Sequence, residues 1–153
     1  MMFLTLMLLS DPSFAGSDYK MYPGLMCRQT DTSNGGYISY GQFLNTSTST
    51  IEVACPVIRD INTDVSTSYL YVFDNSSSAS VTCALYNVRS STASYYWTGK
   101  FSTSSSGYSS YATKLTTGAM STTYSTDAHH FWCQIPGSNK GYSGIGWYYV
   151  DEA

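Results

Sequence analysis

Short runs of alternating side chains recur along this chain and constrain its fold more than any other feature. In each run, β-branched and aromatic residues tend to occupy every second position, and clusters of Ser, Asn and Gly separate the runs. A period of two is typical of half-buried β-strands, and no stretch has the period of an amphipathic helix. The pattern predicts about eight strands, over residues 37–45, 50–58, 68–73, 80–88, 94–102, 109–116, 129–135 and 145–152. We therefore expect an all-β, single-domain antiparallel β-sandwich that is jelly-roll-like.

The composition excludes several classes of function. Charged residues make up 11% of the 153 residues and aromatic residues 16%, which is the opposite of an intrinsically disordered chain. Seven Lys and Arg stand against ten Asp and Glu, so the protein lacks the basic surface that nucleic-acid binding requires. The frequent Tyr, Ser, Thr, Asn and Gly residues are weak helix formers, which argues against a helical bundle. We expect no nucleic-acid partner.

The N-terminal segment has the features of a secretory signal peptide. A short apolar run over residues 3–9 is followed by a small-x-small cleavage motif at Ser13-Phe14-Ala15. We expect residues 1–15 to be removed and residues 16–153 to form the domain. The run is too short for a transmembrane helix, which needs about 20 apolar residues. The signal lacks a basic n-region, so an alternative stays open in which the segment is retained and packs within the fold or in a neighbour.

The signal peptide favours two disulfides over four buried free thiols, the two states that the cysteines allow, and we expect a secreted or cell-surface protein. The chain has four of them and no CxxC pair, which excludes a zinc knuckle or a thioredoxin-like motif. Four cysteines allow three pairings in an oxidising compartment. Alternation places Cys83 and Cys133 among apolar neighbours on the core-facing sides of their strands. Our first choice is therefore Cys83–Cys133, joining two central strands or the two sheets, and Cys27–Cys55 follows by elimination.

Aromatic residues occupy both faces of several predicted strands. A two-sheet sandwich buries one face of each sheet, so some of these rings must lie in solvent or at an interface. Three explanations are open: ordinary half-buried strand formers, rings that stack on the apolar faces of sugars, and contacts with protein neighbours. The candidate ligand-binding residues are Tyr69, Tyr71, Tyr96, Trp97, Trp147 and Tyr149.

Four short motifs carry a resemblance to known proteins. They are Pro23-Gly24 followed by Cys27, the segment CPVIRD at residues 55–60, SVTCALY around Cys83, and FWCQIP around Cys133. Together they resemble a loose group of small secreted bacterial proteins without assigned activity. The resemblance spans most of the chain and implies a secreted, disulfide-bonded β-sandwich. It implies no activity, because the group has none that could be carried over.

Groups with catalytic or metal-binding potential are sparse. His129 and His130 are adjacent on one predicted strand, so their side chains point to opposite faces and cannot share a metal. No spacing selects a pair of carboxylates for hydrolysis. Asp60, Asn62 and Asp64 place oxygen atoms at alternate positions, as a calcium-binding loop does, but the rest of the EF-hand pattern is missing. We expect no enzyme and no cofactor, and we leave a structural Ca²⁺ ion at these three residues open.

Two functions compete on this basis. The first is a non-catalytic binding module that contacts glycans through exposed aromatic residues. The second is a structural subunit of an extracellular fibre or surface assembly, or a homo-oligomer, in which the N-terminal segment or edge strands join neighbours. The expected partner is a glycan or an extracellular protein, and no transmembrane segment is expected.

Overall fold

The computed structural model describes residues 18–59, 63–89, 91–104, 111–121, 127–138 and 141–152. These ranges form twelve β-strands and one short 3-10 helix, Gly24–Met26. The strands are β1 (Asp18–Pro23), β2 (Arg28–Gln29), β3 (Gly36–Ser39), β4 (Gln42–Asn45), β5 (Ile51–Val57), β6 (Val65–Phe73), β7 (Thr82–Arg89), β8 (Ser94–Trp97), β9 (Phe101–Ser102), β10 (Thr113–Thr116), β11 (Asp127–Ile135) and β12 (Ser143–Glu152). No helix in the described ranges is long and apolar enough to cross a membrane.

The strands form two antiparallel sheets that pack as a sandwich. The first sheet has the order β10-β6-β12-β4-β3, and β1 also pairs with β12. Since β6 lies along one edge of β12, β1 and β4 share the opposite edge. The second sheet has the order β2-β5-β11-β7-β8, and β9 pairs with the beginning of β7. This architecture confirms the predicted all-β sandwich.

Alternation along the central strands builds the core between the two sheets. Every second residue of β5 and of β11 is buried, as a half-buried strand requires. The ring of Phe131 in the second sheet contacts the ring of Tyr148 in the first sheet edge-on, with centroids 5.5 Å apart. Each large apolar side chain buried in this way stabilises the fold by about 1.5–3 kcal/mol. The predicted core-facing residues of β11 and of the β7 region are fully buried: Val81, Cys83, Leu85, Phe131, Cys133 and Ile135.

Both predicted disulfides are present, and both lie within the second sheet. Cys83 and Cys133 are direct partners in the register of β7 and β11. Cys27 precedes β2 and bonds to Cys55 of β5, next to the pair that Arg28 forms with Ala54. Of the two geometries left open for Cys83–Cys133, the structure has the bridge between central strands and not the bridge between sheets. The second sheet is therefore covalently cross-linked across two of its strand pairs.

The strand prediction is wrong in three places. Residues 37–45, predicted as one strand, form the β3–β4 hairpin, because Tyr40 and Gly41 both adopt positive φ (49° and 80°). This is the conformation of a two-residue type I′ turn, and a tyrosine there gives little local signal. Residues 94–102 form two strands, β8 and β9, and not one. Residues 17–36, predicted as an irregular lead-in, contain β1 and β2.

One end of the sandwich interior contains a buried ionic network. The Glu152 side chain is fully buried, and its two oxygens accept hydrogen bonds from Lys20 Nζ at 2.5 Å and Arg59 Nε at 2.8 Å. Arg59 Nη1 lies 3.5 Å from Nδ1 of His129, a buried residue. Because a guanidinium group only donates, His129 Nδ1 acts as an acceptor in a neutral ring. Burial and then the Arg59 charge lower the pKa of His129 to about 4, against small opposing effects of Asp127 and Glu152.

The lowered pKa of His129 predicts that the folded protein loses stability in mild acid. The ordinary pKa of 6.5 falls to about 4 in the folded protein, so below pH 6.5 the unfolded chain binds a proton that the folded chain does not. The free energy of unfolding should therefore decrease as the pH falls from 6.5 to 4, by about 3 kcal/mol in total. Urea unfolding across this range measures the slope.

A His129→Asn variant is the control for the pH slope. It should lose most of the slope, whatever its stability at neutral pH. Burial also lowers the pKa of His130, so a smaller slope of the same sign should remain. A variant that keeps the full wild-type slope would contradict the assignment to His129.

Candidate binding site

Four of the six candidate ligand-binding residues lie together on the outer face of the first sheet. Tyr69 and Tyr71 of β6 are register partners of Tyr149 and Trp147 of β12. Their rings stack in pairs, with centroids 4.4 Å apart for Tyr69 and Tyr149 and 4.5 Å apart for Tyr71 and Trp147. Aromatic pairs of this kind contribute about 0.5–1.5 kcal/mol beyond their buried area. Together with Tyr19 of β1, these residues form what we call the first-sheet cluster.

The two central tyrosines of the first-sheet cluster, Tyr69 and Tyr149, each have neighbours on two sides. Tyr149 lies between Tyr69 and Tyr19, whose ring centroid is 5.6 Å away. Tyr69 has Tyr149 on one side and the Lys114 ammonium group 3.9 Å from its centroid on the other. Desolvation raises the pKa of Tyr69 and raises the pKa of Tyr149 to about 12. These two residues therefore present ring edges and protonated hydroxyl groups, not open ring faces.

Trp147 differs from the tyrosines because one of its faces borders an open groove. Tyr71 stacks on the side towards β6. On the other side, a groove of about 420 Å³ opens between β1 and the β3–β4 turn. Trp147 is 37% exposed. We call this feature the Trp147 groove; it is lined by Met21, Pro23, Tyr40, Gly41, Gln42, Gly146 and Trp147.

The groove lies at a β-bulge in β12. Ile145 pairs with Val72 and Trp147 with Tyr71, so Gly146 is an extra residue opposite β6. On the other edge, β4 pairs with β12 as far as Ile145 and β1 begins to pair at Trp147. Neither neighbour therefore pairs with Gly146. The groove lining therefore includes a residue that has no register partner on either side.

Close backbone packing holds the two rims of the groove in place. A Cβ atom on Gly24 would lie 2.1 Å from the carbonyl oxygen of Ile145, so only glycine allows the chain to pass β12 after β1. The N–H group of Leu25 donates to the carbonyl oxygen of Gly41 at 2.9 Å and links the 3-10 helix to the β3–β4 turn. That turn places Tyr40 at the rim, with its side chain fully exposed.

Trp97 lies on the outer face of the second sheet, on the opposite side of the sandwich. It stacks on Tyr86 of β7 with a centroid distance of 6.0 Å, and His130 stacks on the other side of Tyr86 at 5.5 Å. Trp132 contacts Tyr86 edge-on, and its indole N–H donates to Glu52 at 3.4 Å. We call Tyr86, Trp97, His130 and Trp132 the second-sheet cluster.

Tyr96 belongs to neither cluster. It is the register partner of the buried Asn87 and points to the core side of β8, but at the edge of the sandwich it stays half exposed. The guanidinium group of Arg89 lies 5.4 Å from its ring centroid. The six candidate residues are thus divided between two outer faces and an edge. Tyr96 and Trp97 line a smaller groove of about 280 Å³ at that edge, with Thr98, Ala119, Met120 and Ser121.

Among the residues that line the Trp147 groove, sequence reasoning identified Trp147 alone. Tyr40 and Gln42 fall inside a run predicted as one strand, and Met21 and Pro23 fall inside the segment predicted to be irregular. No local pattern marks these positions, because the groove joins segments that are far apart in the chain. The second-sheet cluster did have a signal: alternation opposite Cys83 and Cys133 assigns its β7 and β11 members to the outer face.

The predictions for the N-terminal segment and for calcium fall largely outside the described residues. Residues 1–15, Asp60 and Asn62 lie there, while Asp64 is described and exposed. Within the described ranges, no three His, Cys, Asp or Glu side chains are grouped as ligands of a metal ion. The calcium site therefore stays a prediction. The two histidines do point to opposite faces, with His129 buried and His130 on the outer face.

No protein-family model matches this chain, and no curated protein matches it. The resemblance to small secreted bacterial proteins therefore stays a prediction. Function is inferred from the geometry of the described residues.

Proposed function

We propose that this protein is a non-catalytic glycan-binding module, secreted or held at the cell surface. The observation that carries the proposal is the Trp147 ring, whose face away from Tyr71 borders an open groove. A flat aromatic face suits the C–H face of a pyranose, because both surfaces are apolar and lose water together. Stacking on Tyr71 already holds the ring, so little side-chain entropy is lost when a ligand binds.

Hydrogen-bonding groups beside the ring support a sugar as the ligand. Gln42 and Tyr40 line the same groove as Trp147, and their side chains carry a carboxamide and a hydroxyl group. Each of these groups can both donate and accept, as the hydroxyl groups of a sugar can. Gly146, which has no register partner in β1, β4 or β6, adds its backbone to the groove lining. An apolar surface with a few polar groups around it is typical of small-molecule binding sites.

The disulfides support the proposed location. Cys27–Cys55 and Cys83–Cys133 indicate that the protein folds in an oxidising environment. Extracellular polysaccharides and cell-surface glycans are present where such proteins act. The low share of charged residues, 11%, fits a surface that contacts neutral polymers.

The proposal predicts that Trp147→Ala weakens binding to a polysaccharide by about 10- to 100-fold. This corresponds to the loss of about 1.4–2.7 kcal/mol, the range expected when a central aromatic contact is truncated. A screen of immobilised glycans identifies the ligand, and isothermal titration calorimetry with the wild-type and variant proteins then measures the affinities.

Trp97→Ala is the matched control, because it removes the same type of side chain from the opposite sheet. Its affinity should stay within about twofold of the wild type. A loss of affinity in the Trp97→Ala variant alone would place the binding site on the second sheet and contradict the proposed site at Trp147. Full affinity in the Trp147→Ala variant would contradict the proposal directly.

The competing function, a subunit of an extracellular assembly, has one observation in its favour. Among the described strands, β8 pairs with β7 alone, and its Tyr95, Tyr96 and Trp97 side chains are exposed. The strand contains no charged residue and no proline, which commonly protect such edges from pairing with another chain. Sedimentation velocity tests this function: a protein that is monomeric at every concentration does not assemble through β8.

A further inference from the structure

We infer that the Trp147 groove binds a neutral pyranose, without carboxylate, sulfate or phosphate groups. This inference rests on the proposed glycan-binding function and defines its ligand class. The described side chains that line the groove are all uncharged: Met21, Pro23, Tyr40, Gln42 and Trp147. An anionic group placed among them would lose water without gaining a counter-ion, which disfavours its binding.

The basic residues of the first sheet are engaged elsewhere. Its strands contain two of them, Lys20 and Lys114. The Lys20 ammonium group contacts Glu152 at 2.5 Å and Asp18 at 3.1 Å. The Lys114 ammonium group lies over Tyr69, on the far side of β6 from the groove. Neither can pair with an anionic ligand without leaving an existing partner.

The remaining charge on this outer face is negative. Alternation along β12 places Asp151 on the same face as Tyr149 and Trp147, and its charge contributes to the raised pKa of Tyr149. An anionic polymer bound at the Trp147 groove and extending along β12 would therefore meet the Asp151 carboxylate, while the Lys114 ammonium group lies on the other side of the cluster, over Tyr69. A neutral sugar avoids this repulsion and still finds donors and acceptors in Gln42, Tyr40 and the Gly146 backbone.

The tryptophan face also selects among neutral sugars. A pyranose with equatorial hydroxyl groups directs its axial C–H bonds to the two flat sides of the ring, where they can contact Trp147. Its hydroxyl groups then lie around the rim, within the reach of polar groups at the walls. The geometry thus points to a neutral hexose polymer of this configuration, bound through C–H contacts and neutral hydrogen bonds.

Matched polysaccharides that differ only in charge test the ligand class. One is a neutral polymer that the wild-type protein binds, and the other is the same polymer with its C6 hydroxyls oxidised to carboxylates. We expect the oxidised polymer to bind at least about tenfold more weakly. Affinity for the neutral polymer should change by less than about twofold between about 0.05 M and about 0.5 M NaCl, since no ion pair is screened.

The outcomes separate the ligand class from the function. Trp147-dependent binding to polygalacturonate or alginate, with none to neutral polymers, would overturn the ligand class and leave glycan binding in place. Binding that Trp147→Ala does not weaken, or no binding to any polysaccharide, would overturn the proposed function itself.

A charge introduced into the groove gives an independent test. Gln42→Lys places a cation beside Trp147, at a half-buried surface position of β4. The ratio of affinities for the oxidised and neutral polymers should rise by about tenfold or more relative to the wild type. An unchanged ratio would show that the charge of the groove does not select the ligand.

Discussion

Replacing Cys83 and Cys133 together with alanine is expected to lower the free energy of unfolding by about 4 kcal/mol. The bond closes a loop with a sequence separation of 50 residues, which contains β8, β9 and β10. Without the bond the unfolded chain regains the conformational freedom of this loop, while the folded chain loses only two small buried sulfur atoms. Equilibrium unfolding in urea measures the difference, with the slope used to check that both proteins unfold in one step.

The Cys27→Ala and Cys55→Ala pair is the matched comparison. Its bond is also fully buried and joins the residue before β2 to β5 of the second sheet, but with a sequence separation of only 28 residues. The expected loss is about 3.5 kcal/mol, slightly smaller because the loop is shorter. A loss below about 1 kcal/mol for the Cys83 and Cys133 pair would show that the bond does not constrain the unfolded chain.

Replacing Glu152 with alanine is expected to lower the free energy of unfolding by about 3–5 kcal/mol. Its side chain is fully buried, and it neutralises Lys20 and Arg59, whose side chains are only 15% and 10% exposed. Removing the carboxylate leaves two cations that are largely out of water, which costs far more than the loss of an exposed ion pair. Urea unfolding at neutral pH measures the effect.

Asp18→Ala is the control for this network. Asp18 contacts the same Lys20 ammonium group at 3.1 Å, but its side chain is 33% exposed, so its loss should cost less than about 1 kcal/mol. Similar losses for Glu152→Ala and Asp18→Ala would contradict the role assigned to burial.

The central strands could be predicted because burial imposes its period on the sequence. In β11, every second residue faces the core, so Phe131, Cys133 and Ile135 carry the pattern directly. The same alternation led to the Cys83–Cys133 pair, since it places both cysteines on the core-facing sides of their strands. It could not decide between a link within a sheet and a link between sheets, because both place the sulfur atoms in the core.

Strands that are held mainly by backbone pairing, with few buried apolar side chains, were not predicted. In β1 the more buried positions are Asp18, Lys20 and Tyr22, and two of them are charged, so the sequence shows no apolar alternation, although all six residues pair with β12. The β3–β4 hairpin was also not predicted, because its turn has no clear local signal. Its turn depends on Tyr40 and Gly41 at positive φ, and a tyrosine rarely adopts that conformation.

The sequence alone determined the fold class, both cysteine pairs and the surplus of aromatic rings that the core cannot hold. The fold class, the Cys83–Cys133 pair and the surplus of rings follow from local alternation, because a side chain's face is set by its own position in a strand. The Cys27–Cys55 pair follows from it only by elimination. Only the tertiary structure decided which ring borders an open groove. Trp147 does so because a bulge at Gly146 separates β1 from β4, strands that lie far from β12 in the chain. Such a juxtaposition depends on long-range register, which no local pattern records.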